Sequence, residues 1–317
     1  MLPSYVEQMP SGEETGEFLA IDLGGTNLRV VKVVLENRKV KEVLAHEVSI
    51  PKEIMNGTTK QLFEFIAVQM KTFVSKNMET EATEGEAEQE DEEAEKSKKK
   101  KTKTKKMKKI KKKNKAKPIP VGFTFSYPMK QTGLRSGELV CWTKGFDIKD
   151  TLGKDLVELL QTSMKAQNVN GEVFAILNDT VGTLAASKFM DQDTQLGVIL
   201  GTGSNAAYIE KTSSIQKLQS KTKPGKKSKK VSGGTKGQGK MIVNIEWGNF
   251  KSKQLPYLDE DREIDEVMAN KGEQHFEKMI SGLYLGELAR RICRKASKEI
   301  NLFGGTQVRA RDRSIDR

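Results

Sequence analysis

Several residue types are scarce in this chain, and each shortage closes off a class of function. Only two cysteines occur, Cys141 and Cys293, far apart and without metal-ligand spacing. That excludes a disulfide framework and points to a reducing compartment, the cytoplasm. The two histidines, His46 and His275, read as structural or surface residues, so no metal site is expected. No stretch approaches about 18 uninterrupted apolar residues, and no membrane span is expected. The opening segment "MLPSYVEQMPSGEETGE" has neither a basic start nor an apolar run, so it does not read as a secretory signal. No glycine turn carries G-x-x-x-x-G-K-[ST], which excludes a helix-start phosphate loop of that kind. An apolar content of 36% is low for one compact globule, so part of the chain is expected to lie outside any core.

Charge, in contrast, is plentiful and unevenly placed. The formal net charge is +12. Residues 79–95 hold ten acids and no bases, residues 96–117 hold fifteen lysines and no acids, and residues 211–240 hold ten lysines and no acids. These segments together carry +15, which leaves −3 for the remainder. The basicity therefore belongs to inserts, at about 78–118 and 211–240. Such blocks bury too little apolar surface to offset the entropy of ordering, so they are expected to be disordered. Sharper readings of the lysine runs are nuclear targeting, or salt-sensitive binding to RNA or another polyanion. No aromatic residue interleaves them, which argues against base stacking.

The rest alternates strand and helix signals, the mark of an α/β chain. "EFLAIDL", "NLRVVKVVLEN" and "KVKEVLAHEVSI" read as an antiparallel meander with turns at Gly24-Gly25 and Glu36-Asn37-Arg38. Residues 58–76 have helical spacing at Leu62, Phe63, Ile66, Met70 and Phe73. "VGFTFSYPM" (121–129) reads as a strand, "ELVCWT" (138–143) as an extended run, and 153–167 as an amphipathic helix. "EVFAILND" (172–179) reads as a strand, with a helix from Thr180. At 196 the pattern restarts: "LGVILGTGSNAAYIE" has the same shape as "FLAIDLGGTNLRVVKVV", a strand, a glycine turn and a second strand. Such a duplication implies two related halves facing a cleft. "MIVNIEW" follows as a strand, and 272–298 reads as one long helical stretch.

Polar residues gather where apolar strands end. Asn178 and Asp179 sit at a strand-to-helix corner, where capping is one use and ligand chemistry another. Ser126, Thr143, Lys144, Asn205 and Glu246 occupy comparable places. Amides and carboxylates suit a ligand that displays hydroxyls in several directions. In "DLGGTN", Gly24 and Gly25 allow a tight turn whose N–H groups can form an anion nest. Arg29 adds positive charge there, and Asp22 could orient Mg²⁺ through water. "GTGSN" offers a second such turn. A simple hairpin accounts for either turn alone.

Taken together, these stretches resemble the eukaryotic-type hexokinase family of the actin-like ATPase superfamily. The resemblance rests on residues 1–75, 119–210 and 241–304, including "FLAIDLGGTNLRV", "VGFTFSYPM", "CWTKGF", "ILNDTVGTLAA", "GVILGTGSNAAYIE", "NIEWGNF" and "GEQHFEKMISGLYLGEL". It implies two actin-like, ribonuclease H-like domains with a cleft between them: residues 1–178 as the small domain and 179–317 as part of the large one. It implies ATP-dependent phosphorylation of the 6-hydroxyl of glucose and related hexoses. Asp179 would then be the general base, an aspartate being an ionised proton acceptor at neutral pH. Ser126, Thr143, Lys144, Asn178, Asp179, Asn205, Glu246, Gln274 and Glu277 would bind the hexose. Asp22, Leu23, Gly24, Gly25, Thr26, Asn27, Arg29, Gly201, Thr202 and Gly203 would hold the ATP phosphates, with Mg²⁺ bound through the nucleotide and water.

Three departures accompany the resemblance. The chain begins inside the family pattern. The likeness fades after "NLFGG" (301–305), with no counterpart of the segment that holds adenosine and an unassigned tail at 305–317. Lys271 stands where the family usually has proline, and His275 where it has an apolar residue. The expectation is a truncated chain with a complete hexose site and a half-built nucleotide site. A hexose-binding or regulatory role without turnover is the alternative, and polyanion binding through the lysine runs a third.

Overall fold

The structure, a computed structural model, describes residues 1–78, 117–142, 145–219, 239–268, 270–302 and 304. Most of both expected inserts, the tail 305–317, and the candidate residues Thr143 and Lys144 lie outside the described residues.

A two-residue strand, β1 (Leu2–Pro3), precedes the meander β2 (Gly16–Leu23), β3 (Asn27–Glu36) and β4 (Lys39–Ser49). The β3–β4 turn places Asn37 and Arg38 at φ 52° and 63°, the left-handed pair that a tight two-residue hairpin needs. After the short helix α1 (Lys52–Met55), α2 (Thr59–Met78) buries Leu62, Phe63, Ile66, Met70 and Phe73, the stripe predicted by its spacing. These side chains share one core with Leu19, Ile21, Phe123 and Phe125. β5 (Ile119–Phe125) joins β2 in parallel. A hairpin of β6 (Met129–Gly133) and β7 (Ser136–Leu139) follows, then α3 (Leu156–Ala166). The extended run expected at 138–143 is thus only the end of β7: the strand stops at Leu139, the last residue paired with β6. The Asp155 carboxylate caps α3 by accepting from Val157 and Glu158 N–H. β8 (Gly171–Leu177) completes the sheet β4-β3-β2-β5-β8 by pairing in parallel with β5.

α4 (Asp179–Met190) leads to a second sheet of order β1-β11-β10-β9, built from β9 (Leu196–Leu200), β10 (Ser204–Lys211) and β11 (Lys240–Asn244). Val181 and Leu184 of α4 pack with Val6, Met9, Ala207 and Ile242. The opening residues therefore lie with the second sheet, through β1 pairing with β11, although the expected division at 178/179 groups them with the first. α4 comes so close to β9 that a Cβ on Gly197 would lie 2.9 Å from Leu184 Cβ. The second insert begins later than its lysine content suggests. Lys211 is still in β10, and α5 (Gln216–Gln219) follows, because Ile215 and Leu218 pack with Met241 and Val243.

The helical stretch expected at 272–298 is two helices, preceded by α6 (Asp259–Val267). These are α7 (His275–Ile280) and α8 (Gly282–Glu299), broken at an extended Ser281. The break has a tertiary cause. Gly282 and Leu283 N–H donate to the carbonyls of Gly201 and Thr202 at 2.8 and 3.2 Å, which starts α8 anew against the second glycine turn.

Candidate functional site

Parallel pairing decides where the site forms. β2, β5 and β8 run side by side, with Leu23 opposite Phe125 and Thr124 opposite Leu177. Their carboxyl ends, which lead into Gly24, Ser126 and Asn178, therefore share one edge of the sheet. Open α/β folds keep ligands at such an edge.

The strand-to-helix corner divides its labour. Asn178 is the N-cap of α4, its Oδ1 accepting from Thr180 N–H at 3.0 Å. The helix starts one residue earlier than expected, at Asp179, whose Oδ1 also accepts from Thr180 N–H at 2.8 Å. Capping by Asn178 leaves the second Asp179 oxygen for other work.

Asn205, at the start of β10, links this corner to the second sheet. Its Nδ2 donates to Asn244 Oδ1 at 2.8 Å and, at 3.4 Å each, to Asn178 Oδ1 and Glu246 Oε1. Its Oδ1 accepts from Glu246 N–H at 3.0 Å. Asn244 Nδ2 donates to Glu246 Oε1 at 2.7 Å. Glu246 itself is left-handed, φ 55°, a conformation that non-glycine residues adopt at a cost and that clusters at functional sites. Burial pushes its carboxyl above the ordinary value; the Asn244 hydrogen bond pulls the other way, and the Asp179 and Glu277 charges push it further up. Two further carboxylates, Asp179 and Glu277, thus lie within electrostatic reach of Glu246.

Glu277, on α7, reaches the start of β10, and Gln274 is the N-cap residue of α7. Glu277 Oε2 accepts from Ser204 N–H at 3.3 Å, and Ser204 Oγ accepts from Trp247 Nε1 at 3.0 Å. Gly248 makes room for both side chains: a Cβ there would lie 2.5 Å from Gln274 Oε1 and 3.1 Å from Glu277 Cβ.

Both glycine turns are hairpins. In the first, Gly24 N–H donates to Asn27 O at 3.0 Å, Thr26 O accepts from Ile50 N–H, and Tyr127 OH donates to Gly24 O at 2.5 Å. Arg29 is tied to Glu47 at 2.8 Å and to Asp22 at 3.6 Å, and Asn27 also donates to Glu47. The positive charge expected for phosphates is therefore already shared with two carboxylates. In the second, Gly201 N–H donates to Gly203 O at 2.9 Å, while the carbonyls of Gly201 and Thr202 are held by α8.

The structure thus joins Asn178, Asn205, Asn244 and Glu246 by hydrogen bonds, sets Asp179 and Glu277 within electrostatic reach of Glu246, and places Gln274 beside Gly248 and Ser126 at the neighbouring strand end. Sequence reasoning missed Asn244, Tyr127 and Glu47. Asn244 stands two residues before Glu246 in the same strand-end segment, a signal that was available. His46 is exposed, and His275 meets Tyr257 OH at 3.0 Å, as structural roles predict. Both cysteines are free thiols. Among the described residues no group of His, Cys, Asp and Glu has metal-binding geometry, and no helix is long and apolar enough to cross a membrane. A cavity of about 350 Å³ lined by Met9, Lys188, Gln192 and Lys240 shares no residue with the cluster.

Two family profiles, both described as Hexokinase, match residues 1–189 and 195–315. The chain belongs to the hexokinase family. Hexokinase-1 of Spinacia oleracea is 43% identical over 308 residues, covering 96% of this chain and 53% of the relative. Hexokinase-7 of Oryza sativa subsp. japonica is 42% identical over 307 residues, covering 96% and 57%. The chain therefore spans about half the length of the curated relatives it matches. Among solved structures, a hexokinase from Schistosoma mansoni complexed with glucose superposes with a TM-score of 0.67 at 36% identity, over 96% of this chain and 58% of that one. The fold is accordingly the actin-like fold of hexokinases, as the family resemblance implies.

Proposed function

We propose that this chain binds glucose or a related hexose at the cluster around Asn205 and takes part in its phosphorylation by ATP. The observation that carries the reading is the Asn205 hub. It ties the Asn178–Asp179 corner to Asn244 and Glu246, so amides and carboxylates from both sheets face one place. A hexose offers hydroxyls that such groups pair one by one, and a sugar lacking a hydroxyl leaves a buried partner unpaired. Membership of the hexokinase family and the glucose held by the Schistosoma mansoni enzyme support the same ligand class.

In this reading Asn178, Asn205, Glu246, Gln274 and Glu277 orient the sugar, with Ser126, Thr143 and Lys144 completing its surroundings. Asp179 accepts the proton of the 6-hydroxyl as the O6–phosphorus bond forms and the bond from the γ-phosphorus to the bridging oxygen breaks, releasing ADP. General-base catalysis of this kind contributes roughly 10²–10⁴-fold, and positioning supplies much of the rest. The turns at Gly24-Gly25 and Gly201–Gly203, lacking Cβ atoms, suit close approach of phosphates. The Asp22 carboxylate at the end of β2 suits a hydrated Mg²⁺, which when bound neutralises phosphate charge.

The test is a coupled assay for glucose 6-phosphate with glucose and Mg-ATP, beside a glucose titration. Asp179→Asn should abolish turnover and leave glucose affinity within about tenfold. Full turnover by that variant refutes the base assignment. Glucose binding without turnover in the unmodified chain moves the reading to a hexose-binding or regulatory role.

A further inference from the structure

Residues 270–274, which lead into α7, have no regular structure. Two of them are left-handed, Gly272 at φ 80° and Gln274 at φ 54°. A side-chain-bearing residue holds such a conformation only when its surroundings fix it. A buried ion pair holds Asn270 and Gly272, just before Gln274. Lys278 Nζ lies 2.6 Å from Asp265 Oδ1 and donates to Asn270 O at 2.9 Å. Both Asp265 oxygens accept from Gly272 N–H at 3.0 Å. The side chains are 1% and 11% exposed. Burial works against the Asp265 carboxylate, yet Lys278 and Gly272 hold its carboxyl below the ordinary value.

Buried ion pairs contribute little net stability, because desolvation offsets their attraction. Their use must be sought in what they hold. Asp265 belongs to α6, and Lys278 to the first turn and a half of α7, next to Glu277 and one helical turn from Gln274. From the other side, Gly248 leaves the Gln274 amide and Glu277 Cβ room that a methyl group would take, at 2.5 and 3.1 Å. The segment is thus gripped on both flanks.

We propose that the Asp265–Lys278 pair is a positioning device for hexose recognition: it holds residues 270–274 and the start of α7 so that Gln274 and Glu277 reach the cluster around Asn205. The proposal rests on the hexose reading above.

The experiment is a glucose titration with melting curves on four chains: unmodified, Asp265→Leu/Lys278→Met, Glu277→Gln, and the combination. The apolar pair leaves no orphan charge, so it should melt within a few degrees of the unmodified chain while losing at least about tenfold in glucose affinity. In the Glu277→Gln background the same replacement should cost at least about threefold less, because it acts through the residue already changed. A folded Asp265→Leu/Lys278→Met chain with unchanged affinity, or a fully additive loss, overturns the positioning role and leaves the hexose reading standing. An unmodified chain that binds no glucose overturns both. Should the double variant fail to fold, amide exchange on the unmodified chain decides. A Gly272 N–H protected before glucose is added supports the proposal, and one exchanging as fast as in a free peptide refutes it.

Discussion

Truncating Asn205 to alanine should damage fold and site together. Its side chain makes two bonds of 3.0 Å or less to other residues of the cluster, from Nδ2 to Asn244 Oδ1 and from Glu246 N–H to Oδ1. Each such bond contributes roughly 1 kcal/mol net, and a buried group left without a partner costs about 1–3 kcal/mol. Asn205→Ala removes both bonds, and it removes the acceptor that holds Glu246 N–H in its left-handed conformation. The expected loss is roughly 2–4 kcal/mol, read as a fall in Tm of about 5–12 °C. Glucose affinity should fall at least about tenfold in a calorimetric titration. Asn205→Asp sharpens the test. It keeps the Oδ1 acceptor but turns a charge toward Asn244 Oδ1 and Glu246, so its deficit should be larger at pH 7.5 than at pH 4. If Asn205→Ala melts within about 2 °C of the unmodified chain and binds glucose equally well, Asn205 is not the hub.

Further expectations concern burial and packing. The Glu246 carboxyl is raised in the folded chain, chiefly by burial. Its contribution is fully present below the ordinary carboxyl value and is lost as pH rises through the folded value. Glu246→Gln, always neutral, should therefore raise Tm at pH 7.5 and change it little at pH 4; the reverse order contradicts the burial argument. Gly197→Ala would place Cβ 3.0 Å from Leu184 N as well as 2.9 Å from its Cβ. It should lower stability by about 1–3 kcal/mol in thermal melts, and an unchanged Tm would mean that α4 and β9 can part without cost.

What the sequence disclosed follows from the range of each interaction. The meander β2–β4, its Asn37–Arg38 turn and the apolar stripe of α2 are local patterns, and all were legible. So was the gathering of polar residues at strand ends, which supplied Asn178, Asp179, Asn205 and Glu246. Pairings distant in sequence were not legible. Nothing around Leu2 announces that it joins Asn244 in a sheet. Nothing around Ser281 announces that Gly201 and Thr202 will begin a new helix there, since residues 272–298 have helical spacing throughout. Asn244 was overlooked because it closes the apolar run of β11, where every residue after Lys240 is buried; its value lies in the amide that Asn205 meets. The pairing of Arg29 with Glu47 was not legible either, because Glu47 arrives from β4.

The most direct measurement uses one variant for two readings. Glu246→Gln should be the more stable chain at neutral pH, so any loss of ligand cannot be ascribed to unfolding. Titrated with glucose, the unmodified chain should give saturable binding, and the variant should bind at least about tenfold more weakly. Equal affinity in both, or no binding by the unmodified chain, would contradict a hexose site at this cluster.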